Sequence, residues 1–506
     1  MAYSKVFTAQ PGALKATLID VETDVSVGLY NFMMVGLPGK EVDESKDRVA
    51  AAIKNSGIPS PKSENRKIVT SLSPAHVRKE GAHFDLPVAL SYLKATGYCD
   101  FENADKIFVG ELSLSGDVLP VQGVLSIAML AKEKGIKEIY VPEKNKDEAA
   151  LVDGIKVYPV ASLKQIIDHL SGEEKISVRP FIENINVAEA VEEDPFAYVK
   201  GQETAKRALM IAAAGGHNLA LFGPPGTGKT MLAKAFAGLL PPLTREAMLE
   251  VTGIHSFAGV LGEEIISKSP FRSPHHTSSH VSLVGGGASL RPGEITLAHR
   301  GVLFLDEFPE FERKTVEALR QPLEDGEIIV SRAKGTVKYP SRVTLVAALN
   351  PCPCGFKGST LKECACRDAD VARYQKKISG PIVDRIDLWV EVPHVLYEDL
   401  IENTRPQNKK SDSREKIIKV RNIQLKRFNK DMLNAHMKAK EIEELTLLTK
   451  DAENILVEYS KKFNLSPRSF YRMKKIGRTI ADLAGSDSVE VPHILEAFQY
   501  RPKMTE

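Results

Sequence analysis

Long hydrophobic runs are missing from this 506-residue chain, as is any surplus of one charge, and cysteine is scarce at five residues. No apolar stretch approaches the ~20 residues a bilayer-spanning helix needs, and the opening MAYSKVFTAQPGALKATLID has no charged segment leading into an apolar core. These absences argue against a membrane protein and set the expectation of a cytoplasmic one. A formal net charge of +2, with 26% charged residues, argues neither for nor against nucleic acid, so any basic surface has to be local. Neither fixed-period repeats nor low-complexity tracts occur. In a reducing cytoplasm, clustered thiols serve more readily as metal ligands than as disulfides.

What is present divides the chain into parts. It is too long for one hydrophobic core, and its patterning predicts three domains of a multidomain α/β protein. Residues 1–171 alternate strand-like runs (KVFTAQ, FMMVGL, KIVTSLS, KEIYVP) with helical ones, and KIFVGELSLSGDVLPV reads as a hairpin turning near Ser115 and Gly116. Residues 172–193 lose that pattern, turn acidic and read as a linker. A second α/β unit runs from 194 to 393. Residues 394–506 have Lys, Glu, Leu and Ala at helical spacing and read as a helical bundle.

The strongest chemical signal is GPPGTGKT, which follows the apolar strand NLALF and precedes the helical MLAKAFAGLL. Gly223, Pro224, Pro225, Gly226, Thr227 and Gly228 form the turn, whose backbone N–H groups and positive helix end suit phosphates. Lys229 reaches the terminal phosphates of ATP, and the Thr230 hydroxyl suits Mg²⁺. VLFLDE supplies the complement: a buried strand ends in Asp306, for Mg²⁺, and Glu307, to polarise an attacking water.

Other residues stay open at this level. Asn350, ending VTLVAALN, is either a γ-phosphate sensor or a turn-initiating Asn before Pro351. Arg385, between two acids, is either ion-paired or an arginine finger reaching a neighbouring subunit. Cys352, Cys354, Cys364 and Cys366 form C-x-C-x₉-C-x-C, a set that four-coordinate Zn²⁺ accepts, with free thiols and an iron–sulfur cluster as alternatives. Cys99 stands apart as a packed residue. GEIIVSRAKGTVKYP reads as a hairpin exposing Arg332, Lys334 and Lys338. KIIKVRNIQLKRFNK is either a solvated helix face or a phosphate-tracking surface.

Together GPPGTGKT, FRSPHHTSSHVSLVGGG, RPGEITLAHRGVLFLDEFPEF, LEDGEIIVSRAKGTVKYPSRVTLVAALNPCPCG and ISGPIVDRIDL resemble the magnesium-chelatase-like AAA+ ATPases of the ComM/YifB family, across nearly the whole chain. The resemblance implies an AAA+ P-loop NTPase core with Lys229 and Thr230 in Walker A, Asp306 and Glu307 in Walker B, Asn350 as sensor 1 and Arg385 as the trans-acting finger. It implies a C-terminal helical lid in which SPRSFYRMKKIGRTIADL is the sensor 2 helix and Arg468 its γ-phosphate contact. A hexameric ring follows from the same resemblance. The first domain is similar to the proteolytic domain of Lon and to a domain of RadA. His83 and Leu125 stand at the serine and lysine positions of Lon, so a Lon protease-like fold without peptidase activity is expected. His275, His276 and His280 fall in a segment to which the family assigns a pore-facing or structural role rather than metal binding.

Three function classes remain. The resemblance favours a DNA translocase or helicase, with ATP-driven branch migration on branched or single-stranded DNA during natural transformation, its basic hairpin gripping phosphates as in the related MCM helicases. A chelatase motor and a protein-remodelling ATPase are the alternatives.

Overall fold

Apolar and polar residues alternate along AYSKVFTAQ and TLIDVETDVSV, which turns Val6, Ile19 and Val21 inward and leaves their charged neighbours at the surface, as a sheet with one covered face requires. In the computed structural model, which describes residues 2–183, 194–262, 265–287, 290–332, 335–359, 362–378, 380–395 and 412–502, these strands belong to the first of two units. That unit comprises Met1–Asn186 and Arg245–Ile266; the second comprises Val187–Thr244 and Ser267–Glu506.

In the first unit, Ala2–Gln10, Thr17–Val27 and Arg66–Ser73 pair antiparallel in turn, and Asn31–Val35 joins Arg66–Ser73 in parallel. Helices Lys40–Asn55 and Asp85–Thr96 bury their apolar faces against this sheet. A parallel sheet of Lys106–Phe108, Glu138–Pro142 and Lys156–Val160 packs on the helix Val124–Glu133. The expected hairpin is there: Glu111–Leu112 pairs with Val118–Leu119, and Gly116 takes the positive φ of +96° that its turn needs.

Two features depart from what patterning alone conveys. The acidic stretch 172–193, read as a linker, is pinned over its described part: Arg179 N–H bonds Val157 O at 2.8 Å, Ile182 N–H bonds Ala150 O at 2.9 Å, and Ile176 is buried. The helix Arg245–Ala258, distant in sequence, joins this unit through the buried Glu148, whose carboxylate accepts from Ser256 Oγ, from Leu125 N–H at 2.8 Å and from Asn145 Nδ2 at 3.0 Å. His83 and Leu125 are both buried, and burial drives the His83 imidazole down to about 4. Neither residue offers a hydroxyl or an amine.

The second unit is a mixed α/β body built on a five-stranded parallel sheet in the order Phe271–Arg272, Val302–Leu305, Thr344–Leu349, Leu219–Phe222, Leu388–Glu391. Val302–Leu305 is buried along its whole length, as near-continuous apolar runs in parallel sheets are. Helices Glu203–Gly215 and Lys229–Leu239 pack on the sheet. Helices Asp412–Phe428, Lys450–Lys462, Pro467–Ala484 and Val491–Gln499 add to the same core, and no strand lies among the described residues beyond 394. Ser466 Oγ accepts from Ser469 N–H at 3.2 Å with Pro467 in the first turn, an N-cap arrangement that starts the helix Pro467–Ala484. No described helix is long and apolar enough to cross a membrane.

Candidate nucleotide site

Parallel strands deliver their C-terminal ends to one edge, and Gly223 N–H bonds Leu349 O at 3.2 Å there, joining the glycine-rich loop to the neighbouring strand end. Gly226 and Gly228 have φ of +80° and +87°, a conformation that strains any other residue, and a Cβ on either would project into open space. The loop therefore presents bare backbone at the N-terminus of the helix Lys229–Leu239, where unpaired N–H groups and the helix dipole favour an anion.

Lys229 is 8% exposed and folds back onto the loop, donating to Gly223 O at 2.7 Å, Pro224 O at 2.8 Å and Asn350 Oδ1 at 3.2 Å. Burial lowers its ammonium to about 8 against the opposing pull of Asp306. A desolvated cation held by neutral oxygens fits a phosphate group. Thr230 Oγ1 donates to Asp306 Oδ2 at 3.0 Å, which pairs a hydroxyl and a carboxylate in the manner that hard divalent cations accept. Asp306 Oδ1 accepts the N–H of Glu307 at 2.9 Å, and Glu307 itself has a left-handed φ of +50°. Its carboxylate meets His276 Nδ1 at 3.1 Å. The loop carbonyls, Lys229 and Asn350 thus form one hydrogen-bonded set, and Thr230 with Asp306 forms a second one beside it. The contact of His276 with Glu307 is what sequence reasoning missed, since nothing in SPHHTSSH signals a partner some thirty residues further on.

Arg385 and Arg468 are gathered elsewhere. Arg385, its side chain 11% exposed, pairs with Glu324 and donates to Pro381 O at 2.7 Å. Arg468 lies 4.0 Å from the same Glu324. No hydrogen bond joins either to the Lys229 group among the described residues. Next to them is a network the sequence did not announce: Arg472 donates to Ile386 O at 2.8 Å and Ser469 Oγ at 2.9 Å. His217 joins Asp387 at 3.1 Å to Thr479 at 2.8 Å. Against the push of burial, His217 and the Arg472 charge hold Asp387 low.

The four clustered thiols converge, with all Sγ atoms within 4.8 Å of one another. Cys99 is buried apart from them. The expected hairpin forms from Glu327–Arg332 and Gly335–Pro340. Lys334 lies outside the described residues, and so does the side chain of Arg332. Lys338 is exposed and stands 3.7 Å from Glu327. In the basic run 416–430, Arg421 donates to Ala213 O at 2.9 and 2.6 Å, and Arg427 pairs with Asp482, so both arginines are spent on the fold. Lys416, Lys419, Lys426 and Lys430 remain at the surface, where Lys430 pairs with Glu441 at 2.8 Å.

Three family models match the chain: "Magnesium chelatase, subunit ChlI" over 195–400, "Subunit ChlI of Mg-chelatase" over 21–145, and "Magnesium chelatase, subunit ChlI C-terminal" over 407–501. The chain is 40% identical to competence protein ComM of Haemophilus influenzae over 99% of its own length and 98% of that protein. It is 41% identical to YifB of Escherichia coli, covering 99% and 97%. The magnesium-chelatase 38 kDa subunit of Rhodobacter capsulatus is 31% identical over 31% of this chain and 50% of that protein.

Proposed function

This chain belongs to the ComM/YifB family of magnesium-chelatase-like proteins, and from that premise we propose that it is an ATP-driven AAA+ motor acting on DNA, with branch migration of recombining DNA during natural transformation as its task. The observation that carries the motor reading is the pairing of Lys229 with Asn350 and of Thr230 with Asp306 at the strand ends, beside an open cradle at Gly226 and Gly228.

In this reading the loop backbone and the N-terminus of Lys229–Leu239 hold the phosphates, and Lys229 exchanges its carbonyl partners for a phosphate. Thr230 and Asp306 would hold Mg²⁺, which would supply positive charge against the charge that develops on the phosphates. Glu307 orients and polarises the attacking water, and Asn350 senses the γ-phosphate. Arg385 serves a neighbouring subunit's site in a hexameric ring, and Arg468, on the helix of a C-terminal lid, contacts the γ-phosphate. The four cysteines hold a structural Zn²⁺. The first unit is a Lon protease-like domain without the Ser-Lys dyad, a reading that the buried His83 and Leu125 support. Arg332, Lys334 and Lys338 contact DNA.

The DNA reading draws on full-length similarity to a protein named for competence. The partial match to a chelatase subunit supports a chelatase-type motor instead, but it reaches only 31% of the chain. The test is ATP hydrolysis with and without branched DNA for wild type, Glu307→Gln and an Arg332→Ala/Lys334→Ala double variant. Stimulation that only the hairpin variant loses, with all turnover lost in Glu307→Gln, is the expected result. A basal rate that needs Glu307 but ignores DNA would redirect the motor to protein partners.

A further inference from the structure

The cysteine loop lies directly on the phosphate loop. Cys352 and Cys354 follow the strand Thr344–Leu349 through Asn350 and Pro351, and Gly355 N–H closes the turn onto Cys352 O at 2.9 Å. Gly355 has φ +83°, and a Cβ built on it would lie 2.7 Å from Pro225 Cδ and 3.9 Å from Asn350 Cγ. The turn therefore packs its backbone on the Pro225 ring, a closeness that only glycine permits.

The thiols are arranged for one ion. Cys352 Sγ lies 3.4 Å from Cys354 Sγ and 3.6 Å from Cys364 Sγ, and Cys354 and Cys364 are 3.6 Å apart. Four sulfurs around tetrahedral Zn²⁺, at about 2.3 Å each, stand about 3.8 Å from one another. Lys357 N–H points at Cys352 Sγ at 3.3 Å and Cys354 N–H at Cys366 Sγ at 3.4 Å, the outer donors that orient metal thiolates. Cys352 is fully buried and the other three are partly so. Beyond Cys366 the helix Asp368–Gln375 begins, and Gln375 Nε2 returns to Pro351 O at 3.5 Å. An ion at the four sulfurs would tie both ends of this loop together where few apolar side chains are available to do so.

We propose that Cys352, Cys354, Cys364 and Cys366 bind one Zn²⁺, and that this clip holds the Gly355 turn against Pro225, so that metal occupancy sets how tightly the phosphate loop grips nucleotide. The inference rests on the reading of 223–230 as the nucleotide site. Its physical route is short. Pro225 adjoins Pro224, whose carbonyl, with that of Gly223, holds the Lys229 ammonium. A turn freed from its clip leaves Pro225 unsupported, and the loop then loses part of its preorganisation for phosphate.

The full-length chain is tested by measuring zinc per chain by mass spectrometry and the affinity for a fluorescent ADP. Wild type is expected to carry one zinc. Cys364→Ser/Cys366→Ser is expected to lose it and to bind ADP about tenfold more weakly. Gly355→Ala separates the brace from the metal and from general unfolding: zinc stays at one per chain while ADP affinity falls to a similar degree. Wild type without stoichiometric zinc, zinc-free protein that binds ADP as tightly as wild type, or Gly355→Ala at wild-type affinity would each overturn the proposal. Lys229→Ala is the control on the underlying reading. If wild type binds ADP and Lys229→Ala does not, the nucleotide site stands and only the brace is at issue; if both bind alike, the nucleotide reading itself has failed.

Discussion

Replacing His276 with alanine removes the side-chain partner of the Glu307 carboxylate, an Nδ1 to Oε2 contact of 3.1 Å. A hydrogen bond to a charged group contributes about 1.5–3 kcal/mol when buried. Here the two side chains are 31% and 51% exposed, so screening brings the value to the low end. At about 1.4 kcal/mol per decade, the expected loss in kcat for ATP hydrolysis is about tenfold. The contact aims the carboxylate and does not grip phosphate, so KM for ATP should hold. His276→Asn, whose amide N–H₂ occupies nearly the place of Nδ1, should recover most of the rate. The decisive assay is a double-mutant cycle in steady-state turnover: with Glu307→Gln already present, His276→Ala should cost nothing more. A further tenfold loss in that background, or a rise in KM at unchanged kcat, would refute the argument that His276 acts through Glu307.

Arg385→Ala should abolish most turnover, by about a thousandfold, yet leave ADP binding intact, and mixing it with inactive Lys229→Ala should restore activity because each supplies the part the other lacks. Failure of the mixture to recover any rate would exclude a trans-acting role. Asp482→Ala should destabilise the second unit by about 3–5 kcal/mol in urea unfolding, because Arg478, Arg427 and Asn434 all converge on this buried carboxylate and two guanidiniums would be stranded. His83 supplies a pH dependence. Its folded-state value of about 4 lies below the ordinary 6.5, so the unfolded chain takes up the proton first, and stability is lost as pH falls from 6.5 towards 4, by about 3 kcal/mol. Asp85, raised by burial to about 6, works in the opposite sense, since the folded state protonates first. The His83→Gln variant should therefore gain about 3 kcal/mol relative to wild type between pH 7 and pH 4; a constant difference across that range would contradict the assignment.

The legible parts of the site were those in which one short segment carries both the structure and the chemistry. GPPGTGKT announces strand, turn and helix by itself because Gly226 and Gly228 must adopt positive φ for the backbone to open. The cysteine spacing likewise declares a cluster. What could not be read was every contact made across the fold. His276 meets Glu307 only because adjacent parallel strands, Phe271–Arg272 and Val302–Leu305, bring their ends together. The basic run 416–430 was undecidable because Arg421 caps the carbonyl end of the distant helix Glu203–Gly215, a role no periodicity encodes. The apolar face of Arg245–Ala258 says that the helix is buried but not in which core, and Glu148 decides that by a buried hydrogen-bond cluster.

Glu324 bears on how such a motor would be regulated. Within one chain, the groups assigned to holding phosphate and Mg²⁺ are already joined, from Lys229 through Asn350 and from Thr230 to Asp306. The two arginines assigned to charge stabilisation are instead drawn to Glu324, and Arg385 is almost covered. Under the proposed roles, a chain in this arrangement would bind nucleotide but would not stabilise the charge that develops during phosphoryl transfer. For Arg385 to serve a neighbour, a carboxylate must be released, and the helix Pro467–Ala484 is in place to take part: Arg472 bonds the backbone at Ile386 while Arg468, on the same helix, faces Glu324. Movement of that helix would therefore, under the proposed roles, act on both arginines together.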